Sequence, residues 1–267
     1  MSSATEGKPE FADDRVGVPL PGDNRVRVGD TTQQPSKWVG QLECTWPDNS
    51  TSTGTATLIG TRYLLTCAHN FYDTRNRTYC RSARFRPGLN RGGGGALQTP
   101  FGSYDLDRWE VPEEYVRNGG PPPPVGGIPR RDITLYLHDY AIARLDRFVR
   151  DDLGESMFQV AWPGDGQINA LACRINGYSG DLDPTGCTQY TRHGGVRLSD
   201  SHEFVSYQMS TYHGDSGAPV YYQPLARPFW NVIAVHVTGV PDTGQNDGLN
   251  FGPALSGAAL DWIVRRI

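Results

Sequence analysis

Ser216 sits between two glycines in the stretch Tyr212-His213-Gly214-Asp215-Ser216-Gly217-Ala218-Pro219. A serine hydroxyl on such a turn is placed for nucleophilic attack. Gly214 and Gly217 remove the side chains that would block a substrate backbone, and glycine reaches the φ values that a tight turn needs. The N–H groups of Gly214 and Ser216 are then expected to face one point, where they could hold a developing oxyanion. The same residue types also make ordinary turns. The serine therefore needs a base and an orienting carboxylate from elsewhere in the chain.

His69 is the candidate base. It follows the short apolar run Tyr63-Leu64-Leu65-Thr66 and the pair Cys67-Ala68. A histidine in that place is more often an ordinary surface or core residue, so its reading depends on a partner. Asp139 is the candidate partner, at the mouth of the run Tyr140-Ala141-Ile142-Ala143-Arg144-Leu145. A bare carboxylate there is costly unless hydrogen-bonded. That setting suits an aspartate that orients an imidazole, although solvated aspartates at strand ends are common.

The elements around these residues read as short strands. Trp38, Gly40, Leu42, Cys44 and Trp46 share one face at period two. Further strands are expected at 55–59, 63–66, 159–162, 171–178, 203–209, 219–222 and 230–237. Residues 84 to 130 are expected to be irregular, with Gly92 to Gly95 and the Pro121 to Pro124 run in exposed loops. The chain should end in a helix capped by Ser256, with Leu260, Ile263, Val264 and Ile267 on one face.

Composition narrows the class. Thirty-two glycines and 20 prolines in 267 residues favour strands and turns over a helical bundle. The net charge of −4 gives no general attraction to nucleic acid or anionic membrane, and no apolar run reaches spanning length. Five cysteines leave at least one thiol unpaired; Cys67 with Cys80 and Cys173 with Cys187 are the conceivable bridges, and buried thiols are the alternative. No ligand-spacing motif points to calcium or another metal, and no cofactor is expected. Residues 1–17 are polar and lack the apolar core of a secretory signal. The protein is expected to be cytosolic if Met1 is the native start, and secreted if a leader has been removed.

His69, Asp139 and Ser216, in that order and at that wide spacing, resemble the triad of the chymotrypsin-like serine peptidases. Thr66-Cys67-Ala68-His69 is similar to the Thr-Ala-Ala-His of that family, and Asp139-Tyr140-Ala141-Ile142 to its aspartate strand. Within the family the chain most resembles the bacterial glutamyl endopeptidases, through residues 18–25, Phe85-Arg86-Pro87-Gly88 and Gly177-Tyr178-Ser179-Gly180-Asp181. The resemblance spans about 18–267 and is patchy through 90–130. It implies an all-β fold of two six-stranded antiparallel β-barrels with a C-terminal α-helix. The implied division is a polar segment at 1–17, a lobe at 18–150 carrying His69 and Asp139, a lobe at 151–255 carrying Ser216, and the helix at 256–267.

The resemblance also assigns a pocket. His236, in Val235-His236-Val237-Thr238-Gly239, matches a histidine that walls the primary pocket, and Thr211 matches a hydroxyl at its base. Together they could bind a carboxylate; a core histidine is the bland alternative. Ser210 is uncharged, which disfavours a pocket for Lys or Arg. His213 is expected at the rim, His138 to be structural, and His193 and His202 to face solvent. Asp215 is expected to pair with a new amine at Val16 or Val18 after cleavage, making the uncut chain a weakly active precursor. Asn70 departs from the cysteine usual in chymotrypsin relatives.

The reading is a serine endopeptidase cutting after Glu or Asp, acting on protein or peptide substrates as a monomer, without nucleic acid or membrane. Two rivals stand beside it. One is an intracellular processing protease with a single substrate, and the other is a catalytically silent binding protein on the same fold.

Overall fold

The computed structural model describes residues 18–20, 22–92, 94–120, 130–154, 157–240 and 248–267. Six antiparallel strands close a barrel in the first half. Around it run Tyr104–Glu110, Ala141–Leu145, Tyr63–Thr66, Thr51–Leu58, Val39–Thr45 and Ser82–Pro87, which returns to the first. Two of these strands fall in or at the edge of the 84–130 stretch expected to be irregular. In Tyr104–Glu110 the buried Tyr104 and Leu106 alternate with exposed Asp105 and Asp107. A strand with one solvated face tolerates this many charges, so its polarity does not mark it as loop.

A second sheet has nine strands. Its path is Gln159–Val160, Asn231–Val235, Pro219–Tyr222, Ala172–Gly177, Tyr190–Leu198, Phe204–Tyr207, Leu249–Pro253 and Thr238–Val240, with Val26–Arg27 paired to Tyr190–Leu198 off that path. Among the described residues this sheet does not close, so the expected second closed barrel is not found there. The reason lies at His236-Val237, where one stretch of chain changes partners. Asn231–Val235 pairs with Pro219–Tyr222, and after the break Thr238–Val240 pairs with Leu249–Pro253. An isolated Ala234–Ala254 bridge and the Leu255 N to Ile233 O bond connect the two sides without a ladder.

Each sheet wraps an apolar core. Leu42, Leu58, Leu64, Leu65, Phe85 and Leu145 fill the barrel, while Ile175, Val196, Val205, Val220 and Ile233 fill the second sheet. The closing helix, Gly257–Val264, buries Ile263; Ser256 is its N-cap residue without a side-chain capping bond. Arg130–Tyr136, ahead of Asp139, is a 3-10 helix. None of the five cysteines is joined in a disulfide.

Candidate active site

His69 lies in a single turn, Ala68–Asn70, that begins where the Tyr63–Thr66 barrel strand ends. Asp139 precedes the neighbouring strand Ala141–Leu145, which pairs with it through Ala141 and Thr66. The pairing brings the two side chains together. Asp139 grips His69 at two points: Oδ2 meets ring Nδ1 at 2.7 Å, and Oδ1 accepts the His69 backbone N–H at 2.9 Å. Both side chains are buried. The carboxylate, an acceptor only, places the ring proton on Nδ1 and leaves Nε2 as the basic atom. Nε2 lies 3.4 Å from Cys67 Sγ.

Ser216 comes from the loop before the Pro219–Tyr222 strand of the second sheet, yet its turn is fastened to the barrel. The Ser216 carbonyl accepts Thr55 N–H at 2.8 Å and Asn70 Nδ2 at 3.1 Å. The Thr55 hydroxyl donates to Gly214 O at 2.7 Å. Asn70, adjacent to His69, thus ties the His69 segment to the Ser216 turn. Gly214 (φ 89°) and Gly217 (φ 85°) are both left-handed. A Cβ on Gly214 would collide with Tyr178 O, and one on Gly217 with Thr66 Oγ1. The turn therefore needs glycine for both conformation and space. Among the described residues no carbonyl accepts from the Gly214 or Ser216 N–H.

Asp215 points inward. Its Oδ2 accepts Ser179 Oγ at 2.6 Å and Tyr212 N–H at 2.9 Å, and its Oδ1 faces Arg192 Nη2 at 3.0 Å. Val16, its expected partner, lies outside the described residues. Val18 is docked elsewhere: its N–H donates to Asn250 Oδ1 at 2.8 Å, and its carbonyl accepts Asn250 Nδ2 at 2.8 Å. Asp215 thus already has a cation, supplied by a strand residue for which the sequence offered no signal beyond an arginine among polar neighbours.

Thr211 and His236 are both fully buried beside this turn, where Gly217 N–H donates to His236 O at 2.8 Å and His236 N–H to Ala218 O at 2.8 Å. His236 Nδ1 meets the Tyr207 hydroxyl at 2.8 Å. Burial lifts Tyr207 well above the usual phenol range, so the phenol keeps its proton, and we assign it as the donor to Nδ1. Burial, with the nearby Arg192 and His69, holds His236 well below the ordinary imidazole range and therefore neutral. Its proton is then on Nε2. Among the described residues, that atom and Thr211 Oγ1 have no hydrogen-bond partner, and both are buried. Tyr207 is a residue the sequence reading missed, because one tyrosine on an apolar strand carries no distinguishing pattern. His213 is half-buried against Gly180, and His193 and His202 are exposed.

No family model matches the chain. It is 28% identical over 223 residues to a glutamyl endopeptidase of Bacillus licheniformis, a match that takes in 82% of this chain and 60% of the relative's length. Among solved structures it resembles a Glu endopeptidase determined in complex with MPD, with TM-score 0.71, 23% identity, and 93% of this chain and 98% of that one covered. It also resembles the protease Anisep of Arthrobacter nicotinovorans, with TM-score 0.61, 15% identity, and coverage of 89% and 96%. A thermostable serine protease, AL20, gives TM-score 0.59 at 16% identity, covering 85% and 94%. The chain is thus a homologue of a glutamyl endopeptidase, built on the fold of the chymotrypsin-like serine proteases.

Proposed function

We propose that this chain is a serine endopeptidase that cuts after glutamate, with aspartate as the secondary choice. The observation that carries the chemistry is the His69–Asp139 pair, held by ring and backbone alike, on the segment to which the Ser216 turn is bonded. In this reading Ser216 Oγ attacks the scissile carbonyl while His69 Nε2 takes its proton. The N–H groups of Gly214 and Ser216 hold the oxyanion. His69 then protonates the leaving amine, and water releases the acyl group by the same steps in reverse. Asp139 keeps Nδ1 protonated and stabilises the imidazolium that forms.

The acidic preference is supported by the two unpartnered groups, His236 Nε2–H and Thr211 Oγ1–H. Buried donors without acceptors each cost about 1–3 kcal/mol, and a substrate carboxylate would satisfy both. Arg192 adds positive potential near His236. The test is cleavage of a peptide library by wild type, Ser216→Ala and His236→Leu. Cutting after Glu should vanish in the first variant and lose its Glu preference in the second. Cutting by Ser216→Ala, or an unchanged profile in His236→Leu, overturns the corresponding half of the proposal.

A further inference from the structure

Cys67 stands two residues before His69, where the motif it resembles has alanine. Its sulfur is 3.4 Å from His69 Nε2, the ring atom turned away from Asp139. The ligand atoms of Cys67, His69 and Asp139 all lie within 4.8 Å of one another. This arrangement has the dimensions of a cation site. A tetrahedral zinc at its usual bond lengths spans about 3.6 Å between a sulfur and a nitrogen ligand. The observed separation needs a change of only a few tenths of an ångström.

The outer contacts fit as well. Zinc-bound imidazoles commonly donate their second N–H to a carboxylate, which fixes the tautomer and raises the basicity of the ligating nitrogen. Asp139 Oδ2 at 2.7 Å from Nδ1 occupies that role already. The Ser216 turn borders the Cys67 backbone, since a Cβ on Gly217 would lie 3.0 Å from Cys67 N.

We propose that Cys67 Sγ and His69 Nε2 form a two-point binding site for a thiophilic divalent cation, and that occupancy silences the nucleophile. Zinc and cadmium are the appropriate ions, since thiolate with imidazole selects them over calcium or magnesium. On binding, the Cys67 thiol releases its proton to solvent, one metal–sulfur and one metal–nitrogen bond form, and no electrons are exchanged. His69 keeps its Nδ1 proton. With its Nε2 lone pair on the metal, it can no longer take the proton of Ser216. The cation binding stands on Cys67 and His69 alone; the silencing rests on the peptidase reading.

The test uses the full chain, with zinc as the probe. Zinc affinity is measured by equilibrium dialysis for wild type, Cys67→Ala, Cys67→Ser, His69→Ala and a Cys187→Ser control. In parallel, a serine-directed fluorophosphonate labels Ser216 with zinc or with EDTA. Losing a direct ligand should weaken binding by at least about 100-fold, more than loss of an outer partner does. The Cys187→Ser protein should bind as wild type does. Zinc should block labelling of wild type, with the block lost in both Cys67 variants. Equal zinc affinity in wild type and the Cys67 variants overturns the site. Labelling of wild type that ignores saturating zinc overturns the silencing. Wild type that binds zinc through Cys67 but takes no label even in EDTA supports the cation site and defeats the peptidase reading instead.

Discussion

Arg192 Nη2 lies 3.0 Å from Asp215 Oδ1, and neither side chain reaches solvent. The contact is close, but among the described residues both atoms lack an aligned hydrogen bond, as do Arg192 Nε and Nη1. It is therefore held by charge more than by geometry. An isolated buried carboxylate one residue before Ser216 would be prohibitive, and Arg192 from a nearby strand removes that cost. Ser179 and Tyr212 complete the carboxylate's surroundings.

Replacing Arg192 with Met should destabilise the protein by about 3–5 kcal/mol, because it strands Asp215 without a counter-charge. The double variant Arg192→Met with Asp215→Asn should regain most of that loss, since no isolated charge remains. Urea unfolding of the three proteins checks this. A double variant no more stable than the single one would show that the charge pairing is not the source of the effect.

With Arg192 in place, a new amine is not needed to neutralise Asp215. The full-length chain and a chain beginning at Val18 should then differ in kcat/KM by less than about tenfold, or 1.4 kcal/mol. This reverses the sequence-based expectation of a weakly active precursor. A larger rise on trimming would restore the precursor model, with the amine acting at Asn250, where the Val18 N–H now donates.

The Tyr207 hydroxyl meets His236 Nδ1 at 2.8 Å. Tyr207→Phe removes the hydroxyl that holds Nδ1 as acceptor and Nε2 as donor. Discrimination between Glu and Gln substrates should fall about tenfold, the worth of one hydrogen bond to a charged group. The change should appear in KM for the Glu substrate, with kcat for the Gln substrate held. Unchanged selectivity would remove Tyr207 from the pocket.

His236 should also give stability a defined pH dependence. Its folded-state pKa is lowered from 6.5, through burial first, then Arg192 and His69. The unfolded chain therefore binds this proton first as pH falls. The stabilisation is fully present above about pH 6.5 and is lost below it, with a slope of about 1.4 kcal/mol per pH unit. In His236→Gln that contribution to the slope should be missing between pH 6.5 and 5. Denaturation curves at several pH values check it, and parallel slopes for the two proteins would mean that His236 charges freely when folded.

Much of the arrangement around the candidate site was legible in the residues. Gly214 and Gly217 flank Ser216 because only glycine fits their left-handed backbone beside Tyr178 O and Thr66 Oγ1, so the turn is written in the chain itself. His69 and Asp139 stand at the ends of apolar runs that pair in the barrel, and the short runs Tyr63–Thr66 and Pro219–Tyr222 coincide with strands to the residue. Strands with a charged outer face, such as Tyr104–Glu110, were illegible because their alternation is diluted by surface charge.

The sequence by itself determined the candidate nucleophile, base and carboxylate, because each is marked by its own neighbours. Only the tertiary structure decided which distant groups meet. Arg192 reaches Asp215 because Tyr190–Leu198 pairs beside Ala172–Gly177 and turns that side chain inward. Tyr207 reaches His236 because the chain changes partners at His236 instead of closing a second barrel. Cys67 reaches Nε2 because Asp139 turns the His69 ring. Such contacts depend on register and ring orientation, which no local pattern of residues encodes.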